Sequence, residues 1–352
     1  MSALFTPLSI RGIEMRNRLW VSPMCQYSAD EGVPNDWHHV HLAQFAAGGA
    51  GLVIAEATAV SPEGRISPRD AGLWNDEQVA AWKPIVAAVR ARGAVAGVQL
   101  GHAGRKASTT APLAGARGSV ALADGGWTTV APSPLAYADF APPAALDAAG
   151  IEKVVADFAA AARRAVAAGF EVLELHAAHG YLLHQFLSPL TNHRDDEYGG
   201  SFQNRVRLVV RVTEAVRAAA PDAVVFVRFS ATDAADGGWS VDDTVAASRL
   251  VAEAGADLID VSSGGLVPHQ HIVPGPGYQV GYAATVRRET GLLVSAVGMI
   301  DDPTLAEDVV ADGRADAVMS GRQWLRDPHY GLRAAAALGA ASPAPAQYAR
   351  AY

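Results

Sequence analysis

The chain has 352 residues, half of them hydrophobic, enough to bury one large core; a single barrel-sized domain over 1–352 fits better than two ordinary ones. A formal charge of −8 disfavours nucleic acid and anionic membranes as partners, and a single cysteine, Cys25, excludes an internal disulfide. No apolar run reaches the ~18 residues that span a bilayer, and Met1-Ser-Ala-Leu-Phe-Thr-Pro7 has no basic-then-apolar leader, so a cytoplasmic protein is expected.

In chain order, residues 1–17 read as an entry segment covering a barrel floor. Leu19-Trp20-Val21 is the first strand, and Pro23 in Ser22-Pro23-Met24-Cys25 ends it, because proline cannot continue a central strand. A helix over 36–48 follows, with Asp36 as N-cap and Gly48 as stop. Strand 51–57, helix 77–92 and strand 95–100 come next. Residues 101–149 are rich in Gly, Pro, Ala and Thr and too long for a plain connection, so they read as a lid or binding excursion after the third strand.

The alternation then resumes with helix 151–168, strand 171–176, helix 203–219, strand 223–229, helix 240–254 and strand 257–261. A second Gly/Pro-rich loop at 262–276 leads to helix 278–290, strand 292–296, helix 302–312, strand 315–319 and a helix from about 322. The tail 340–352 contains Pro343 and Pro345 and is expected to be extended, with Tyr348, Arg350 and Tyr352 exposed. The tryptophans are assigned to the core and Arg163-Arg164 to a solvated face. Eight strands alternating with helices imply parallel pairing and closure into a (β/α)8 TIM barrel.

In such a barrel the C-terminal strand ends converge on one site. The stretch Glu171-Val-Leu-Glu-Leu-His-Ala-Ala-His-Gly-Tyr181 delivers His176, His179 and Tyr181 there. An imidazole pair can donate hydrogen bonds to an oxygen gaining negative charge, and a phenol of pKa about 10 can deliver a proton near neutrality. Ser22 to Cys25, Ala57, Gln99 and Arg228 should reach the same rim. Gly298-Met299 and Ser320-Gly321-Arg322 place glycine turns after strands seven and eight, where barrels often hold a phosphate at a helix N-terminus. Together these suggest a phosphorylated cofactor over the barrel mouth.

These stretches resemble the Old Yellow Enzyme family of flavin-dependent ene-reductases, in its bacterial branch of NADPH dehydrogenases and xenobiotic reductases. The resemblance is carried by Arg16-Asn17-Arg18, Ser22-Pro-Met-Cys-Gln-Tyr27, Asp36-Trp-His-His-Val-His41, Glu56-Ala-Thr58, Gln99-Leu-Gly-His-Ala-Gly-Arg-Lys-Ala107 and His176-Ala-Ala-His-Gly-Tyr-Leu182. It continues through Phe186-Leu-Ser-Pro189, Asn192, Asp196-Glu-Tyr-Gly-Gly-Ser201, Asn204-Arg205 and Gly321-Arg322. It implies FMN, with Ser22, Pro23, Met24, Cys25, Ala57, Gln99 and Arg228 at its ring and ribityl chain and Gly298, Ser320, Gly321 and Arg322 at its phosphate. It implies Tyr27, His176 and His179 on the substrate oxygen, Tyr181 as proton donor, and NADPH as hydride source. It further implies a homo-oligomer, dimer or tetramer, in which Arg350 reaches a neighbour's site.

The expected reaction is reduction of the C=C bond of an α,β-unsaturated aldehyde, ketone or similar activated alkene, with no metal and with Cys25 tuning the cofactor without forming a covalent bond. The rival enzyme is a metal-dependent hydrolase recruiting His39, His41, His176, His179, His269 and His271, although residues 38–41 fall in a helix and no carboxylate completes the set. The rival without turnover is a flavin-binding barrel, for which Tyr181 has no use.

Overall fold

A computed structural model describes residues 2–115 and 118–352. Met1 and residues 116–117 of the expected excursion lie outside the described residues. An antiparallel hairpin, β1 (Leu8–Ile10) and β2 (Ile13–Met15), opens the chain. The elements then run β3 (Leu19–Val21), α1 (Asp36–Ala47), β4 (Leu52–Ala59), α2 (Asp76–Arg90), β5 (Val95–Gly101), β6 (Val130–Ala131), β7 (Ala144–Ala145), α3 (Ala148–Ala168) and β8 (Val172–Ala177). There follow α4 (Leu182–Leu187), α5 (Phe202–Ala219), β9 (Val224–Ser230), α6 (Val241–Glu253), β10 (Leu258–Ser262), α7 (Val280–Thr290) and β11 (Val294–Val297). The last elements are α8 (Pro303–Ala311), β12 (Ala317–Ser320), α9 (Arg322–Arg326) and α10 (Tyr330–Ala337).

Strands β3, β4, β5, β8, β9, β10, β11 and β12 close in that order into a barrel in which every neighbouring pair is parallel. The expected (β/α)8 barrel is therefore present, with helices around it. Its strands are buried along their length except at Ala57 of β4, as strands covered on both faces must be. Leu8, Ile10 and Met15 of the hairpin pack with Trp20, Leu52, Ile54, Val172, Val224, Phe226 and Leu258, the lower halves of the strands. Trp20 and Phe226 stack 5.8 Å apart within this floor.

Side-chain caps start the helices. Asn35, not Asp36, caps α1, its side chain accepting from Trp37 N at 3.0 Å, because Asp36 already has helical geometry. Asn75 and Ser240 form reciprocal capping boxes on α2 and α6, and Gly169 and Gly291 end α3 and α7 in the left-handed region.

The excursion after β5 is more structured than expected. It holds 3-10 turns and the short parallel pair β6 and β7, and α3 starts at Ala148, inside the segment read as loop. Arg65 pins it, its guanidinium 5.4 Å from the Trp74 ring and 4.9 Å from the Trp127 ring. The tryptophans are thus not all core: Trp37 is 56% exposed, since its indole lies across the surface to reach Gln26. The tail is not wholly extended, because Ala346–Tyr348 forms a 3-10 turn on which Tyr348 packs 5.3 Å from the His329 ring. No helix among the described residues is long and apolar enough to cross a membrane.

Candidate active site

Seven of the barrel strands end one or two residues later than the sequence reading placed them, which puts Ser320 on a strand and His176 and Ala57 before the ends of theirs. His176 lies within β8, Ser320 ends β12, and Ala57 lies inside β4, where the register with β5 shifts between Ala55 and Ala57.

His176, His179 and Tyr181 do converge. The His176 ring stands 5.1 Å from the His179 ring and 4.8 Å from the Tyr181 ring, both edge-on. His176 Nδ1 accepts from Ala178 N at 3.3 Å, so a neutral His176 carries its proton on Nε2. Burial, then the positive Arg228, holds both imidazoles well below the usual histidine range, which keeps them neutral at pH 7. Burial pushes the Tyr181 phenol upward, so it is fully protonated. A small cavity bounded by Ala57, Asp70, Gly101, His102, His176 and Tyr181 opens here.

The turn that carries these groups is tightly determined. His179 has φ 57°, a left-handed value that costs a non-glycine residue about 1–3 kcal/mol. Its amide donates to Ser230 Oγ at 2.9 Å, and Ser230 donates to Gly264 O at 2.7 Å. Gly180 has φ 74°, and a Cβ there would lie 2.4 Å from Gly265 O, so only glycine fits. Its amide donates to Nδ1 of buried His184, whose Nε2 faces Asp233 Oδ1 at 2.9 Å. His179 Nε2 lies 2.7 Å from Ser262 Oγ, closer than the 3.4 Å from Ser262 to Gln279 Oε1.

Across the mouth, Arg228 Nε pairs with Asp260 Oδ2 at 3.0 Å while an NH group reaches Ser22 Oγ at 3.2 Å. Gln99 donates to Glu174 Oε1 at 2.7 Å. The sequence reading passed over Glu174 and Asp260, although an acid at an inward position of an apolar strand was the available signal. Burial, then the negative Asp260, pushes Glu174 up to about 8.

The loop after β3 is fixed by a buried pair, Glu56 Oε1 with His38 Nε2 at 3.1 Å, while Glu56 Oε2 accepts from Gln26 N at 2.9 Å. Cys25 and Tyr27 are partly buried, and burial pushes the Cys25 thiol up, which leaves it an unreactive thiol. Tyr27 too has a left-handed backbone, φ 51°.

A separate cavity of about 270 Å³ is lined by Ser22, Arg228, Gly298, Ser320, Gly321 and Arg322. Side chains would crowd its floor: a Cβ on Gly298 would lie 2.8 Å from Gln279 Nε2, and one on Gly321 3.2 Å from Met24 Sδ. Arg322 is exposed and makes no ion pair or hydrogen bond to another described residue. A cradle of backbone with a free guanidinium fits a phosphate monoester. The helix termini expected to hold it contribute little: α9 has five residues, and Ile300, Asp301 and Asp302 separate the Gly298-Met299 turn from α8. Asp301, unexpected beside an anion site, is neutralised by Arg326 at 2.6 Å.

Arg350 lies in the exposed tail. Among the described residues no three His, Cys, Asp or Glu side chains gather as a metal would need. His41 packs edge-on against Phe45 within α1 instead.

A family model described as NADH:flavin oxidoreductase / NADH oxidase matches residues 3–340. An NADPH dehydrogenase of Listeria welshimeri is 44% identical over 357 aligned positions that cover all of both chains. Among solved structures, morphinone reductase superposes with a TM-score of 0.81 at 30% identity, over 97% of this chain and 91% of its own. An old yellow enzyme homologue from Zymomonas mobilis superposes at 0.76 with 28% identity, over 96% of this chain and 93% of its own.

Proposed function

The chain belongs to the NADH:flavin oxidoreductase / NADH oxidase family, and we propose that it is an FMN-dependent NADPH dehydrogenase that reduces the C=C bond of α,β-unsaturated aldehydes and ketones. The observation that carries the substrate class is the meeting of two neutral imidazoles and a protonated phenol: His176 and Tyr181 line one small cavity, and the His179 ring stands 5.1 Å from that of His176.

FMN, when bound, supplies a two-electron carrier between NADPH and the alkene. Ser22, Pro23, Met24, Cys25, Ala57, Gln99 and Arg228 would hold its ring and ribityl chain. Gly298, Ser320, Gly321 and Arg322 would hold its phosphate in the backbone cradle. His176 and His179, with Tyr27, donate hydrogen bonds to the substrate carbonyl oxygen. Because both imidazoles are neutral, each binds the oxygen without surrendering a proton to it, and the charge developing there is stabilised by fixed dipoles. Tyr181 delivers its proton to the α-carbon. Cys25, kept as a thiol, touches the cofactor without attacking it. The segment between β5 and α3 excludes water from above, and Arg350 completes the site of a neighbouring copy in a dimer or tetramer. The lone cysteine accords with a reducing, cytoplasmic setting.

The test is the reoxidation of NADPH-reduced holoenzyme by cyclohexenone, followed by stopped-flow absorbance. Tyr181→Phe is expected to slow it at least tenfold while NADPH still bleaches the flavin at the normal rate. Unchanged reoxidation would reject the assignment of the proton donor.

A further inference from the structure

Lys106 follows β5 in the turn Gly104–Lys106, and the site as described makes no use of it. Its Nζ donates to His179 O and Gly265 O, each at 2.9 Å. It stands 5.3 Å from the centre of the Tyr181 ring and 4.6 Å from that of Tyr137 in the excursion. The other charged or titratable groups facing it are Arg105 in its own turn and His176 and His179 after β8. Among the described residues no carboxylate pairs with it. An ammonium held under the rim by neutral carbonyls, with no counter-ion, loses solvation that an ion pair would restore. The position therefore makes sense where its field acts on something else.

We propose that Lys106 is a positioning residue for proton transfer from Tyr181: its ammonium, fixed against the ring by two carbonyl oxygens, offsets the negative charge the phenol gains as its proton leaves. The inference rests on Tyr181 as proton donor. In that step the Tyr181 O–H bond breaks and a C–H bond forms at the α-carbon. The bonding electron pair comes from the enolate left by hydride addition at the β-carbon, and the phenolate then takes a proton from water. Lys106 exchanges no atoms. The same contacts tie the His179 carbonyl to the loop after β10, so one cation sets both the position of the turn and the acidity of the phenol. Burial, then Arg105, lowers the ammonium to about 8, so its charge is lost as pH rises through that value.

A full unit charge about 5 Å from the ring centre, at an effective dielectric of about 20, corresponds to roughly a hundredfold if the phenolate charge is placed at that centre; a phenol with part of that charge in the transition state should gain about tenfold. The experiment measures enone-driven reoxidation of NADPH-reduced, FMN-loaded enzyme from pH 6 to 9.5, with its solvent deuterium effect. It compares the natural enzyme with Lys106→Met, Lys106→Arg, Tyr181→Phe and the Lys106→Met/Tyr181→Phe double variant. Lys106→Met is expected to slow reoxidation about tenfold, to raise the deuterium effect, and to lack the fall near pH 8. Lys106→Arg should restore most of the rate. In the Tyr181→Phe background, Lys106→Met should cost nothing more. A Lys106→Met loss that persists undiminished in that background, or that slows reduction by NADPH equally, would overturn the proposal in favour of a purely structural clamp. Tyr181→Phe with unchanged rate and deuterium effect would instead sink the proton-donor reading, and this inference with it.

Discussion

Glu174→Gln should make the protein more stable above neutrality. Glu174 is fully buried on β8, its Oε1 accepting from Gln99 at 2.7 Å. Neither Glu174 Oε2 nor Asp260 Oδ2 has a regular hydrogen-bond donor, apart from the Arg228 guanidinium that pairs with Asp260. A proton on Glu174, shared with Asp260, satisfies both oxygens. The folded protein keeps that proton up to about pH 8, whereas the unfolded chain gives it up near 4.5. The folded state therefore binds the extra proton between those values, and stability falls as pH rises through the window, by at most about 5 kcal/mol. Glutamine carries the donor permanently and has no proton to lose. Urea unfolding of the FMN-loaded protein at pH 5.5 and pH 8 should show the variant pulling ahead of the natural chain by about 3 kcal/mol across that interval. Parallel pH curves, or a variant less stable at both pH values, would mean that Glu174 is an ionised partner of Arg228, and would refute the reasoning.

Gly180→Ala is expected to cost about 2–3 kcal/mol in urea unfolding, from left-handed strain and from contact with a backbone oxygen that cannot move aside cheaply. Because the same shift displaces His179 and Tyr181, enone reduction should fall by more than tenfold; full activity in stopped-flow would show that the turn tolerates the methyl group. Arg322→Ala should weaken FMN binding about tenfold in a fluorescence titration, the typical worth of one charge-assisted bond, and the difference should shrink with added salt. Its apoprotein should unfold within about 0.5 kcal/mol of the natural chain, because Arg322 is exposed and unpaired among the described residues; FMN affinity unchanged at low salt would remove Arg322 from the phosphate cradle.

The barrel was legible because its evidence recurs: apolar runs such as 224–227 alternating with capped helices leave one topology open. The convergence of His176, His179 and Tyr181 was legible for a related reason, since a strand end fixes the position of whatever follows within a few residues. What was not legible depends on partners far away in sequence. Glu174 meets Gln99, Asp260 meets Arg228, His184 meets Asp233, and Lys106 meets Gly265 across 159 positions. No local pattern announces such a pair, and an isolated acid in an apolar strand reads as an exception until its donor is in view. The left-handed backbones of Tyr27, His179 and Met299 were equally hidden, because only glycine advertises that conformation. Asn35 was missed for a smaller reason: two adjacent residues both cap well, and only backbone geometry separates them.

The distribution of strain in the barrel explains how such a site is maintained. Below the midline, Trp20, Phe226 and the entry hairpin close a floor with no charged side chain in the cluster. Above it lie a buried Glu174–Asp260–Arg228 cluster and seven of the described non-glycine residues at positive φ, Tyr27, His179 and Met299 among them, against Arg11 alone in the floor hairpin; each such backbone is worth about 1–3 kcal/mol of strain. Strain of this kind persists only where surroundings dictate it, and here hydrogen bonds from other elements do so. Arg69 Nε holds Tyr27 O at 2.9 Å, and Ser230 and Lys106 hold the two ends of the His179 peptide. Burial at the floor thus stabilises a rim whose geometry is unfavourable by itself, and the rim is where the neutral imidazoles and the protonated phenol must meet. The two halves should therefore fail differently: truncations below the midline lower unfolding free energy with little change in turnover per folded molecule, whereas removing a rim clamp relaxes the strain and lowers turnover first.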